Sequence, residues 1–451
     1  MAGPDLALAV NGPLDDAASR LASRVDGAGG PGTEPMTVAV VGMGYVGLPT
    51  ALGLTGRGVT GIGLDVSVER LAAIRTGAVD LPEADRVTLS GALESGRLRL
   101  TDDPALLAAA DAVVVCVPTP VDDHRVPDTT ALRAACRAVV QHARIGQMIV
   151  LTSTSYVGTT REMLIEPLRD RGLRVGTDVC VAFSPERIDP GVPAHRQRET
   201  PRLVGGETAT CTDRATRLIS YLTDSVYAVS TPEAAELAKL YENVYRAVNL
   251  ALANEIADIC GSLTLDPIEV TTAAATKPYG FLACFPGPGV GGHCIPCDPH
   301  YLLWQLRTSA QPAPLIEQAM VSIAARPRRV VARAVEVLAE AGAALRGARI
   351  LVVGVSYKPG VRDLRGSSAL DIIAELARRG ADVRYHDPLV PSCTLPDGTA
   401  LRGETAPRGA DWDLALIHTV HPDVDYRWAA DCPRVLDATY RFDLAPHRQL
   451  V

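Results

Sequence analysis

The chain has 451 residues, 47% of them apolar, and a mean hydropathy of +0.12, which allows about two or three domains with full cores. A formal charge of −8 and a pI near 5.7, with no long Lys/Arg block, argue against nucleic acid as a partner. No window approaches the ~18 uninterrupted apolar residues of a membrane span. Ten cysteines lack framework spacing, and the first 35 residues lack a basic start and an apolar run, so a reduced, cytoplasmic protein is expected.

Residues 1–35, rich in Ala, Gly, Pro and Asp without a sustained period, read as a mobile tail. Order is expected from Met36. Thr37 to Val41 is an apolar, β-branched run that leads into Gly42-Met43-Gly44-Tyr45-Val46-Gly47, a helical stretch, and Gly61 to Leu64 ending in Asp65. This is a βαβ unit with a dinucleotide fingerprint. Gly42 allows a tight turn, Gly44 the approach of a pyrophosphate and Gly47 close helix packing, while the helix N-terminus supplies a favourable dipole. Tyr45 and Val46 share that turn. A carboxylate at Asp65 accepts both ribose hydroxyls and repels a 2′-phosphate, so the expected cofactor is NAD.

Strand-like runs then end in polar loops: Ala112 to Val117 before Pro118-Thr119-Pro120, Met148 to Leu151 before Thr152-Ser153-Thr154, and Val179 to Phe183 before Ser184-Pro185-Glu186-Arg187. Their alternation with helical segments predicts a parallel, doubly wound sheet over 36–229, whose strand ends face cofactor or substrate. Ser230-Thr231-Pro232-Glu233 starts a helix that runs without a breaker to about Gly261, and Lys239 and Asn243 project from one face of it. A second, smaller Rossmann-like fold is expected over 326–451, with a helix from Ser367 to Arg379. The predicted architecture is α/β, with two doubly wound domains joined by a long central helix within 230–325.

The chain from Gly287 to Pro299 reads Gly-Pro-Gly-Val-Gly-Gly-His-Cys-Ile-Pro-Cys-Asp-Pro. Glycines without Cβ atoms let backbone N–H groups approach a reacting oxygen, and a thiol beside a nicotinamide suggests aldehyde-level oxidation. Cys294 and Cys297 form a Cys-x-x-Cys, open to reading as a redox pair or as half a zinc site with His293 or His300; no second pair completes a zinc set. The sharper reading makes Cys294 a nucleophile and Cys297 a small core residue. Lys239, Lys277 and Lys358 are the only lysines among 44 basic residues, which marks them as positions that need an ammonium.

Val40 to Pro49, Cys116 to Pro120, Ser153-Thr154 with Gly158-Thr159-Thr160, Ser184 to Arg187, Lys239 with Asn243, the cysteine loop, and Lys358 with Asp363-Leu364-Arg365 together resemble the UDP-glucose/GDP-mannose dehydrogenase family. The resemblance covers about Met36 to Tyr440. It implies a four-electron oxidation of a sugar C6 alcohol to a carboxylate with two NAD+ and no metal. Carried over to this chain, Cys294 attacks the aldehyde, Lys239 and Asn243 stabilise alkoxide and oxyanion character, and Asp298 assists base chemistry. Thr154 and Glu186 position a water. Arg70, Pro118, Thr119, Thr154 and Arg365 lie on the cofactor side; Glu186, Arg187, Lys239, Asn243, Gly291 and Lys358 lie on the substrate side. The long helix and cysteine loop belong to a homodimer, or a dimer of dimers, and the C-terminal fold to the nucleotide.

The chain departs from the family pattern in Pro296-Cys297-Asp298, where Lys is common in place of Cys297, and in Gly366, where Glu is frequent. The run from Lys277 to Cys294 is similar to the branch acting on UDP-N-acetylhexosamines, and Lys277 has no catalytic counterpart. UDP- or TDP-glucose is the favoured substrate, with UDP-N-acetylglucosamine or N-acetylmannosamine the alternative. Two rivals remain: a two-electron hydroxyacid or polyol dehydrogenase with a structural Cys294, and a NAD-binding redox sensor in which Cys294 and Cys297 pair.

Overall fold

The computed structural model describes residues 36–122, 124–187 and 198–451; the tail expected over 1–35 lies outside the described residues. These residues form two compact units. One holds the described residues up to Glu242 together with His300–Ser309, and the other holds Asn243–Pro299 with Ala310–Val451. No helix among the described residues is long and apolar enough to cross a membrane.

The first unit is built on β1 (Thr37–Val41), β2 (Thr60–Leu64), β3 (Leu98–Thr101), β4 (Ala112–Val115), β5 (Met148–Leu151), β6 (Cys180–Phe183), β7 (Arg202–Gly206) and β8 (Val226–Val229). Their spatial order is β3-β2-β1-β4-β5-β6-β7-β8. The order reverses beside β1, which makes the β1/β4 gap the crevice where a doubly wound sheet binds its ligand. All pairings are parallel except β6 with β7, which run antiparallel. The strands read as unbroken apolar runs because both faces are covered: Val38, Val40, Val114 and Val150 feed one core, while Ala39, Val41, Val113 and Ile149 feed the other.

The second sheet has β9 (Arg349–Val353), β10 (Asp382–His386), β13 (Leu414–Ile417), β14 (Val435–Asp437) and β15 (Gln449–Leu450) in the order β10-β9-β13-β14-β15, all parallel; β11 (Ser392–Thr394) and β12 (Ala400–Arg402) pair separately. Ile350 and Val352 enter one core, Leu351 and Val353 the other. This is the expected second Rossmann-like fold.

Five helices position the site: α1 (Gly47–Thr55), α2 (Pro232–Leu263), α3 (Asp298–Thr308), α4 (Pro314–Glu340) and α5 (Ser368–Arg378). The 32 residues of α2 span about 48 Å. Its start follows from sequence: Thr231 Oγ1 accepts from Ala234 N at 3.1 Å, and Pro232 occupies the first turn, where no N–H is needed.

Candidate active site

The glycine turn after β1 has the shape a pyrophosphate needs. Gly42 takes φ +89°, where a Cβ would meet Cys116 O at 2.6 Å, and a Cβ on Gly47 would lie 1.7 Å from Gly42 O. Gly44 faces open space, so packing does not require its lack of a side chain and a ligand has room to approach there. At the end of β2, Asp65 accepts Met43 N at 2.7 Å and Ser67 N at 2.9 Å, which fixes its carboxylate beside the turn. Arg70 Nε donates to Met43 O at 2.8 Å, and Tyr45 and Arg70 line one cleft with Gly44. Val46 stands at the N-terminus of α1. The donors, the space at Gly44 and the carboxylate at Asp65 fit a dinucleotide.

Strands β4, β5 and β6, all parallel to β1, deliver their loops to the same sheet edge. Ser153 Oγ donates to Val117 O at 2.8 Å, tying the loop of Pro118 and Thr119 to that of Thr154. Burial pushes the Cys116 thiol up to about 12, with Glu186 adding to the effect, so this cysteine is an inert thiol. After β6, Glu186 Oε1 accepts Arg187 N at 2.8 Å while Oε2 pairs with Arg202 at 2.6 Å. Arg202 opens β7 and is 1% exposed. Arg187 reaches Glu242 at 2.5 Å, and Glu242 lies 3.9 Å from Lys239 Nζ. A chain of alternating charges therefore runs from the sheet to Lys239, which is itself buried.

One turn before Lys239, the buried Glu236 accepts Gly158 N at 2.6 Å, and Thr160 N and Oγ1 at 2.8 and 2.6 Å. These bonds clip the Gly158-Thr159-Thr160 turn to α2. Burial pushes the Glu236 carboxyl up to about 7 against the opposing pull of those donors.

In the second unit, the cysteine turn is held by its backbone. Asn254 accepts Gly287 N at 3.0 Å, and Arg326 Nε donates to Gly287 O at 3.0 Å while also binding Asp258 and Tyr440. A Cβ on Gly291 would meet Tyr357 Cβ at 2.6 Å and Gly366 O at 2.9 Å; Gly292 takes φ +85° and donates to Arg365 O at 2.9 Å. The turn thus rests on the loop that carries Lys358 and Arg365. Cys294 is exposed, and its carbonyl accepts Cys297 N at 3.2 Å and Asp298 N at 2.8 Å, which leads the chain into α3. Asp298 is buried and accepts from Asn243 Nδ2 at 2.5 Å. Burial, then the Arg365 charge, push the neighbouring His293 below the usual histidine value. No disulfide joins Cys294 to Cys297.

The structure brings together Asp65, Arg70 and the glycine turn; Glu186 and Arg187; Asn243 and Asp298; and Gly291 with the Lys358–Arg365 loop. Arg365 pairs with Asp363 inside its own loop at 2.6 Å. Lys277 is exposed and lies over the Tyr279 ring at 4.9 Å. Sequence reasoning missed Arg202, Glu236, Glu242, Asn254 and Arg326. Arg202 carried a signal, a charge opening an otherwise apolar strand, but its partner Glu186 lies 16 residues away in sequence.

The sequence matches the NAD binding domain of the UDP-glucose/GDP-mannose dehydrogenase family over residues 36–223, its central domain over 233–322 and its UDP binding domain over 351–446. The chain belongs to that family, and NAD is its cofactor. It is 34% identical to the UDP-N-acetyl-D-glucosamine 6-dehydrogenase of Pseudomonas aeruginosa over 357 residues, 79% of this chain and 83% of that protein. It is also 34% identical to the UDP-N-acetyl-D-mannosamine dehydrogenase of Pyrococcus horikoshii over 399 residues, 86% and 90% of the two chains. The solved structure of the P. horikoshii UDP-D-ManNAc dehydrogenase superimposes with a TM-score of 0.83 at 30% identity, over 92% of this chain and 98% of that one. The protein is a nucleotide-sugar dehydrogenase.

Proposed function

We propose that this chain is a UDP-N-acetylhexosamine 6-dehydrogenase that oxidises the C6 alcohol of N-acetylglucosamine or N-acetylmannosamine, as its UDP derivative, to the uronic acid. The relatives named for these two sugars support this substrate over the UDP- or TDP-glucose expected from the sequence. The observation that carries the chemistry is an exposed cysteine whose turn leads directly into the buried Asp298–Asn243 pair.

NAD+, when bound, supplies the hydride acceptor for both two-electron steps. In the first, the C6 alcohol gives up a hydride and its hydroxyl proton; Lys239 Nζ stabilises the alkoxide. Cys294 Sγ, as thiolate, then adds to the aldehyde carbon, and Asn243 Nδ2 donates to the resulting oxyanion. Loss of a second hydride from that oxyanion leaves a thioester. Water positioned by Thr154 and Glu186 attacks it, Asp298 takes one of its protons, and the C–S bond breaks to release the thiolate and the acid, which ionises to carboxylate. One alcohol and one water thereby yield one carboxylate, two NADH and three protons. Lys358 and Gly291 hold the nucleotide sugar, and Arg365 the cofactor side.

Leu237, Tyr241, Tyr245, Leu252, Ile259 and Leu263 are exposed at helical spacing along α2. An apolar stripe of this length supports a homodimer formed through the helix. The substrate test is a panel of UDP-N-acetylglucosamine, UDP-N-acetylmannosamine, UDP-glucose and TDP-glucose with excess NAD+, with kcat/KM measured and the product identified by mass. An N-acetylhexosaminuronate formed at least tenfold more efficiently than glucuronate is expected; the reverse preference would return the substrate to glucose.

A further inference from the structure

The loop 356–366 closes on itself, with Tyr357 N donating to Asp363 O at 3.0 Å. Its distal end carries the Gly291–Gly292 backbone. Its other end meets a buried polar hub that no step above uses. Asp387, just past β10 and 4% exposed, accepts Val355 N at 2.8 Å, Ser356 N at 3.2 Å and Ser356 Oγ at 3.3 Å through Oδ2, and Leu389 N at 2.9 Å through Oδ1. His421 Nε2 lies 3.1 Å from the same Oδ2, and on the far side of the ring Gly360 N donates to Nδ1 at 3.0 Å.

A backbone N–H pointing at Nδ1 requires a lone pair there, so the ring proton sits on Nε2 and is donated to Asp387. Both nitrogens have a partner that dictates their role. The imidazole is therefore a strut of fixed polarity between a carboxylate anchored to three backbone N–H groups and the middle of the loop.

We infer that His421, fixed as its Nε2–H tautomer by Asp387, is a positioning residue that sets loop 356–366 through Gly360 and thereby the Gly291–Gly292 backbone ahead of Cys294. Its catalytic consequence rests on the reading of Cys294 above; its structural content does not.

The test uses the full chain with H421A, H421Q and H421N. Gln places an amide near Nε2 and keeps the donor to Asp387 but not the acceptor for Gly360. Asn places a carbonyl oxygen near Nδ1 and keeps the acceptor for Gly360. Amide hydrogen exchange of peptides covering 356–366 is expected to speed up by roughly tenfold in H421A and H421Q and to stay near wild type in H421N, with β1 to β8 peptides unchanged. The alkylation rate of Cys294, read by mass spectrometry, is expected to shift at least threefold in the first two variants only. Unchanged exchange and alkylation in H421Q, or equal changes in H421Q and H421N, would overturn the inference. Wild-type protein that oxidises no nucleotide sugar would instead overturn the proposed function, while the exchange result still decides the role of His421.

Discussion

Asn243 Nδ2 donates to Asp298 Oδ2 at 2.5 Å, joining residues 55 positions apart, one in the middle of α2 and the other the first residue of α3. Both are nearly excluded from solvent. The amide orients a carboxylate four residues beyond the cysteine. Asp298→Asn keeps the shape and removes the charge, so kcat is expected to fall by roughly 10²–10⁴ if Asp298 handles protons. Asn243→Ala leaves a buried oxygen without its donor and is expected to cost about 1–3 kcal/mol in denaturant unfolding. Wild-type kcat in Asp298→Asn would remove this residue from the chemistry.

Arg202 and Glu186 form a buried pair at the sheet edge. Removing Arg202 takes the buried counter-charge from Glu186, so Arg202→Met is expected to cost roughly 3–5 kcal/mol, more than the double variant with Glu186→Gln. Chemical denaturation of the cycle measures this. A single-variant cost under about 1 kcal/mol would mean that Glu186 is solvated without Arg202.

The raised carboxyl of Glu236 has a defined sign. The folded state holds this proton more tightly than the unfolded chain, so the contribution is fully present below pH 4.5 and is lost as pH rises through about 7. Glu236→Gln removes the titration. Relative to wild type, the variant should gain on the order of 3 kcal/mol between those limits. Melting curves from pH 4.5 to 8 test this, and parallel profiles for the two proteins would contradict it.

Gly44 and Gly47 separate ligand approach from packing. A methyl group at Gly44 meets nothing within 4 Å, whereas one at Gly47 collides with Gly42 O. Gly44→Ala should therefore weaken NAD+ binding at least tenfold with an unchanged melting temperature, and Gly47→Ala should lower the melting temperature. Calorimetric titration with NAD+ and thermal unfolding distinguish the two; unaltered NAD+ affinity in Gly44→Ala would place the pyrophosphate elsewhere.

The βαβ unit was legible because each step is local: the apolar run of β1 ends at Gly42 and that of β2 at Asp65, and β1 and β5 occupy the spans that the sequence predicts. The start of α2 was legible for the same reason, since Thr231 and Pro232 carry the capping chemistry themselves. The antiparallel pairing of β7 with β6 was not, because an apolar strand reads the same in either direction. Neither was the path by which His300–Ser309 returns to the first unit. Among the candidate residues, Cys294 and Lys239 stood out by residue type. The groups that orient it, Arg202, Asn254, Arg326 and His421, are common residues whose partners are set by tertiary packing.

The most direct test of the covalent account is the NADH yield per sugar with limiting UDP-N-acetylglucosamine or UDP-N-acetylmannosamine and excess NAD+, in wild type and Cys294→Ala. The account predicts two NADH and one carboxylate per sugar in wild type, with no carboxylate from Cys294→Ala. One NADH per sugar in wild type, or normal acid output without the Cys294 thiol, would contradict it.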